Sequence, residues 1–249
     1  MSLPFHLGMV ALWFLGAAPV SASPTGTAGA GPTVPEILDR LVRRSAETAR
    51  RDRDFEARHA FTLVRVMETR DGNGEVRKRE EIAHRHEPGG PVAGEFPEAK
   101  PKGREPLEVT LNHELLARFR FTHIGNETVN GRDTWILDFT AAGLEPPSRS
   151  IRDRVISRLA GRVWIDVADA ETARLRLELK DSVGVVGGIV GSLRRFGFST
   201  EREQAPSGQW YTRRLEWMIE ARRLLRTKQV EFREERTGVK IIPSTVEPR

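Results

Sequence analysis

Cysteine is absent from all 249 residues. That absence excludes a disulfide framework, a thiolate nucleophile, a cysteine-based zinc site and a lipid anchor attached through cysteine. Charge is also missing at the start, where the first formally charged side chain is Glu36. Neither sign dominates afterwards: 40 Lys+Arg stand against 35 Asp+Glu, a net charge of +5. Acidic residues interrupt basic stretches such as Arg50-Arg51-Asp52-Arg53-Asp54 and Arg77-Lys78-Arg79-Glu80-Glu81. A mixed-sign surface of this kind is not the basic stripe that binds nucleic acid, so no nucleic-acid partner is expected. Arginine far outnumbers lysine, which suits phosphate or lipid headgroups through bidentate pairing and is equally what a GC-rich genome produces. The hydrophobic fraction of 38% supplies a core despite 30% charged residues, which points to one folded domain rather than disorder.

No apolar run reaches the roughly 20 residues needed to cross a bilayer. Residues 7–20 (LGMVALWFLGAAPV) followed by Val20-Ser21-Ala22 instead have the form of a secretory signal peptide, although the stretch before them offers only His6 as a basic group. The expected organisation is a signal peptide over 1–22 cut after Ala22, a flexible Gly/Pro-rich leader over 23–34, and a single domain over 35–249. Export without a cysteine anchor predicts a free periplasmic protein.

Along that domain, Ile37, Leu38, Leu41, Val42 and Ala46 recur at helical spacing and predict an amphipathic helix over 35–51 with Thr33 as a candidate cap. Residues 60–69 and 75–86 flank Asp71-Gly72-Asn73-Gly74 and predict a hairpin. A Pro/Gly-rich stretch over 87–106 reads as a long surface loop, and 111–118 (LNHELLAR) as a short helix. Residues 119–124 and 132–140 predict a second hairpin around a turn-rich segment at 126–131, with Trp135, Leu137 and Phe139 on one face. A short helix over 148–159 is broken by Gly161 before a strand at 162–166 (RVWID).

Between Thr172 and Lys180, Ala173, Leu175, Leu177 and Leu179 alternate with polar residues. Residues 209–220 repeat the pattern with Tyr211, Leu215, Trp217 and Ile219, and 224–235 forms a last strand. Each such strand has one buried and one wetted face. No crossover helix separates them, so the sheet is antiparallel, and a run of amphipathic strands this long wraps into a barrel or half-barrel.

Residues 182–193 (SVGVVGGIVGSL) break the pattern, having no charge and four glycines. They read either as a bulged, buried strand or as a mobile apolar gate closed by Arg194-Arg195 that covers a hydrophobic ligand or touches a membrane. The gate candidates are Val183, Val185, Val186, Ile189, Val190 and Leu193.

The string Phe119-x-Phe121, Gly125-Asn126-Glu127-x-Val129-Asn130-Gly131-Arg132, Thr134-Trp135-Ile136-Leu137-Asp138-Phe139, followed by Gly161-Arg162-Val163-Trp164-Ile165-Asp166 and the leucine-alternating strand, resembles the LolA/LolB-like superfamily of outer-membrane lipoprotein-sorting proteins. The likeness covers roughly residues 35–235. It implies a mainly β (α+β) fold, a curved antiparallel sheet or incomplete β-barrel with a helical lid. It also implies a soluble carrier or chaperone that holds a lipoprotein acyl moiety or another lipid in an apolar cavity. A lipid-sensing envelope regulator on the same fold is the alternative. The partners implied are a lipoprotein or lipid ligand and a transient inner- or outer-membrane protein, with the chain itself a monomer. The arginine that gates the ligand in the shuttle has no matching motif here.

Cavity candidates are Trp135, Leu137, Phe139, Leu175, Leu177, Leu179, Leu215, Trp217 and Ile219. Strand parity fits a packed core as well as a cavity. His84 and His86 share a strand face but lack a third ligand, and Asp166, Asp169 and Glu171 surround a turn, where carboxylates bond the backbone. No nucleophile elbow, Walker A or dinucleotide motif is present. The expectation is a binding protein without a catalytic residue, cofactor or metal.

Overall fold

The computed structural model describes residues 31–90, 111–143, 150–185, 191–224 and 226–242. The segments expected to be signal peptide and most of the leader, most of the Pro/Gly-rich loop, and Val186, Ile189 and Val190 lie outside these residues. Among the described residues no helix is long and apolar enough to cross a membrane.

The chain enters through α1 (Val34–Ser45), where the Glu36 carboxylate accepts from the Thr33 backbone N–H at 2.8 Å, one half of a capping box. The single helix expected over 35–51 is in fact two, because α2 (Thr48–Glu56) starts anew after a break at Ala46 and Glu47. At the break, the Ser45 hydroxyl donates to the Val42 carbonyl at 2.8 Å, and the Arg51 guanidinium donates to the Arg44 carbonyl, so side chains satisfy the helix end.

Among the described residues ten strands follow: β1 (His59–Asp71), β2 (Val76–His86), β3 (Phe119–Val129), β4 (Arg132–Ala141), β5 (Leu159–Asp166), β6 (Thr172–Leu179), β7 (Val183–Val185), β8 (Gly191–Gln204), β9 (Trp210–Arg223) and β10 (Arg226–Ile241). Two short helices, α3 (His113–Leu116) and α4 (Ile151–Ile156), precede β3 and β5. The sheet order is β2-β1-β10-β9-β8-β6-β5-β4-β3, with β7 paired to β8 off this path. Every pairing is antiparallel. Strands β3 to β10 therefore form a meander, and the first hairpin is laid beside the last strand. Among the described residues β2 and β3 are unpaired on their outer sides, so the sheet is a curved, incomplete barrel rather than a closed one.

Several boundaries differ from expectation for local reasons. β3 runs on to Val129, and the turn is only Asn130-Gly131, both at positive φ (52° and 76°), the two-residue geometry that matches strand twist. Ala173 leaves the leucine face: the pairing of β5 with β6 shifts between Trp164 and Ile165, and Ala173 packs with Trp164, Ile136, Val129 and Trp210 on the other side. β8 continues past Leu193, the end of the segment read as a bulged strand or gate, to Gln204, where no strand was expected.

Gly161 does not break α4, which ends at Ile156, but sits inside β5. A Cβ built there would lie 2.1 Å from the Arg176 carbonyl oxygen, 2.7 Å from Phe139 Cζ and 2.9 Å from Leu177 Cα. The backbone of β6 and the ring of Phe139 occupy the space a side chain would need. Gly161→Val should therefore destabilise the fold by about 3 kcal/mol, the upper range for overpacking, read as a lower denaturant midpoint at unchanged slope.

Candidate functional site

One transverse row of residues crosses the sheet from β3 to β1. Phe121, Phe139, Gly161, Leu177, Phe198, Trp217, Phe232 and Met67 are register partners in succession on β3, β4, β5, β6, β8, β9, β10 and β1. Trp217 and Phe232 stack with centroids 5.4 Å apart. The neighbouring row Leu137, Val163, Leu175, Thr200 and Leu215 lies on the same face. All nine expected cavity residues thus share one surface, as strand parity requires.

Cover on that surface is uneven. Ile37 and Leu41 of α1 are buried with Trp135, Leu137, Phe139, Val163 and Ile165. Phe55 of α2 is buried with Phe61, Leu63, Ala205 and Tyr211. Between and beyond the helices, Leu159, Leu175, Leu177, Leu179, Leu193, Leu215 and Trp217 are only half-buried around Phe196, Phe198 and Ile219. Trp135, Leu137 and Phe139 are therefore packed core beneath α1, whereas the leucines of β6, Leu215 and Trp217 border a partly open apolar strip. Of the gate candidates, Val183 is buried and pairs with Leu193, and Val185 pairs with Gly191. The described ends of that segment are strand.

A polar cluster invisible in the sequence ties the helices to this face. Glu171, 3% exposed, accepts from Arg44 of α1 at 2.8 Å and faces Arg202 of β8 at 3.0 Å, with Arg51 of α2 4.0 Å away. Arg202 also donates to Asp52 of α2 at 2.7 Å, and Arg236 of β10 reaches Glu56 at 3.4 Å. Burial pushes the Asp52 and Glu56 carboxyls above their ordinary range, and their arginine partners only partly offset it. Nearby, Arg132 grips Asp166 through two hydrogen bonds of 2.7 and 2.8 Å, and Asp169 accepts from Arg132 at 3.0 Å and from the Trp210 indole at 2.8 Å. Asp166 does bond the backbone as expected, accepting from the Asp169 N–H at 2.7 Å, and the three turn carboxylates in addition anchor the arginines.

The opposite face is charged and holds a cleft of about 710 Å³ whose lining includes six arginines and five glutamates, among them Arg174, Arg176, Glu201, Arg214, Glu216 and Arg233, together with Leu177, Phe198, Trp217 and Phe232 of the transverse row. Most are matched, as in Arg174 with Glu201 at 3.1 Å and Glu216 with Arg214 and Arg233 at 2.8 and 3.2 Å. His86 is buried, its Nε2 2.8 Å from the Glu56 carbonyl and its ring beside Phe61. Among the described residues no group of three or more His, Asp or Glu could hold a metal.

No protein-family model and no curated protein matches this chain. Among solved structures it is similar to one described as an outer-membrane lipoprotein-sorting protein domain from Vibrio parahaemolyticus, at 12% identity over 85% of this chain and 94% of that chain, TM-score 0.31. It is also similar to a LolA superfamily protein from Nitrosomonas europaea, at 10% identity over 88% and 99%, TM-score 0.30. A third likeness is to the MucA/MucB complex of Pseudomonas aeruginosa, at 10% identity over 84% and 99%, TM-score 0.21. The likeness is one of fold.

Two outcomes follow from the polar cluster. Glu171→Gln leaves buried arginines without their shared charge and should cost about 3 kcal/mol, with amide exchange accelerating first in α1 and α2. Burial alone would raise the Asp166 carboxyl, but the hydrogen bonds from Arg132 and the Asp169 backbone hold it below its ordinary 3.8. Its contribution to stability is complete above that value and is lost as pH falls through the lowered one. Arg132→Met should accordingly move the acid-unfolding midpoint to higher pH, measured by circular dichroism.

Proposed function

We propose that this chain is a non-enzymatic carrier of the bacterial envelope, exported to the periplasm, which binds an acyl chain against the open part of its apolar face. The observation that supports this reading is the half-buried strip of Leu175, Leu177, Leu179, Leu215 and Trp217, which joins the core beneath α1 at Leu175 and Leu177 and continues along Leu179, Leu215 and Trp217. An extended hydrocarbon laid there gains about 0.8 kcal/mol per buried methylene, so affinity would build up without covalent chemistry and release would need no bond cleavage. The hairpin of β7 and β8, carrying Val183, Val185 and Leu193, borders the strip at Ile219 and, with Val186, Ile189 and Val190, is the proposed gate. Lipoprotein lipid as the cargo, sorted to the outer membrane with a transient membrane-protein partner, rests on the sequence resemblance.

A second reading, an envelope regulator or interaction module, has one observation in its favour. The mixed-charge cleft on the opposite face is a surface suited to a polar polypeptide segment rather than to a lipid tail.

Native mass spectrometry of the protein in the form cells accumulate should show co-purified lipid or acylated peptide. A consistently empty protein that also fails to take up a fluorescent fatty-acid probe would overturn the carrier reading. Trp217→Ala should weaken probe binding about tenfold with a modest loss of stability, whereas Trp135→Ala should act chiefly on stability, costing about 3–5 kcal/mol.

A further inference from the structure

The end of the sheet where β9 turns into β10 carries an exposed leucine in a place where turn chemistry disfavours it. Leu224 is 64% exposed, the highest value among the exposed large hydrophobic side chains described, and its backbone φ is +52°. The same φ is met at the β3–β4 turn by Asn130, a residue that tolerates the left-handed region. A bulky aliphatic side chain there is strained and gains nothing from burial. The fold does not need leucine at this position, so the side chain itself is the reason for it.

Cations surround it on both faces of the sheet. Arg222 is exposed and donates from Nε to the Leu224 carbonyl at 2.9 Å, fixing the turn. Arg226 and Lys228 are exposed on the next strand, alternating in direction with Thr227, which is the register partner of Arg222. Arg194 and Arg195 come alongside through the pairing of Ser192 with Arg222 and of Arg195 with Glu220. Both are exposed and share a single buried carboxylate, Glu220, at 3.6 and 2.6 Å. Of the acids on the neighbouring β1–β2 turn, Asp71, the register partner of Lys228, and Glu75 are both taken up by Arg77, at 2.8 and 3.0 Å. The rim therefore presents excess positive charge around an apolar apex, although the chain as a whole is close to balanced.

We propose that this end is a docking surface for an anionic lipid bilayer, with Leu224 entering the acyl boundary and Arg194, Arg195, Arg222, Arg226 and Lys228 at headgroup level. Charge complementarity identifies the occupant: guanidinium pairs with phosphate bidentately, and a short apolar tip adds hydrocarbon contact that a purely polar partner would not use. This surface adjoins the β7–β8 hairpin at Arg194 and Arg195 but does not depend on what the apolar strip carries.

The test is co-sedimentation of the protein, in the form cells accumulate, with vesicles of phosphatidylglycerol and phosphatidylcholine at varied salt. Binding should require phosphatidylglycerol and fall steeply with added salt. Leu224→Asn should lower the partition coefficient about tenfold, and the same substitution should raise the melting temperature by relieving the turn, which separates docking from folding. The double variant Arg226→Glu, Lys228→Glu should reduce binding without changing the melting temperature greatly. Equal binding to neutral vesicles, no binding to either, or unchanged binding by Leu224→Asn would each overturn the proposal, the second of these leaving a protein partner as the use of the rim.

Discussion

The placement of the helices depends on one buried carboxylate. Glu171 receives arginines from α1, α2 and β8, and α2 has little else to hold it, since TARRDRDFE contains a single large apolar residue, Phe55. Burying one phenylalanine contributes roughly 2–3 kcal/mol, less than ordering nine residues costs. Ion pairs and hydrogen bonds to Asp52 and Glu56 complete the attachment. Buried charge pairs offset much of their own gain through desolvation, but a wrongly placed helix would leave them uncompensated. Their effect is therefore on position, and it is the position of α1 and α2 that decides which part of the apolar face becomes core.

That division gives an open sheet two different kinds of surface on one side. Under α1 the close approach of Phe139 to the Gly161 backbone makes a packed layer without room for a ligand. Farther along, the strands carry the same residue types, half-buried around Phe196, Phe198 and Ile219. The free edge at β2 is managed separately, by the alternating charges of Val76–His86, of which Arg79 pairs with Glu68 and Glu81. Charged edges discourage pairing with other chains, so the openness of the barrel need not become a route to aggregation.

Much of this was legible in the sequence where a strand reports its own environment. The leucines of β6 and the Tyr211 to Ile219 series of β9 alternate cleanly, and both hairpins carry turn residues suited to them. β8 was not legible, because Arg194-Arg195 and Glu201-Arg202-Glu203 disrupt alternation, leaving Phe196 and Phe198 as its only period-two signal. The bulges between Leu193 and Arg195 and between Glu201 and Arg202 are the structural form of that disruption. The Glu171 cluster was hidden for a different reason. Arg44, Arg51, Asp52 and Arg202 look like solvated surface in a chain this charged, and nothing local marks Arg202 as buried.

The same limit explains why parity brought nine residues to one face without separating core from site. Alternation records which side of a strand is apolar, a property of the strand, whereas occupancy of that side is set by elements far away in sequence. Trp135 and Trp217 illustrate it: both are tryptophans on inward-facing positions of amphipathic strands, one buried against Ile37 and Leu41, the other half-open beside Leu215. What distinguishes them is the reach of α1, and α1 is held where it is partly by a carboxylate in the β5–β6 turn. The extent of open apolar surface is thus coupled to an ionic contact distant from it. A change that loosened Glu171 would free apolar area beneath the helices, joining the packed layer to the half-buried strip.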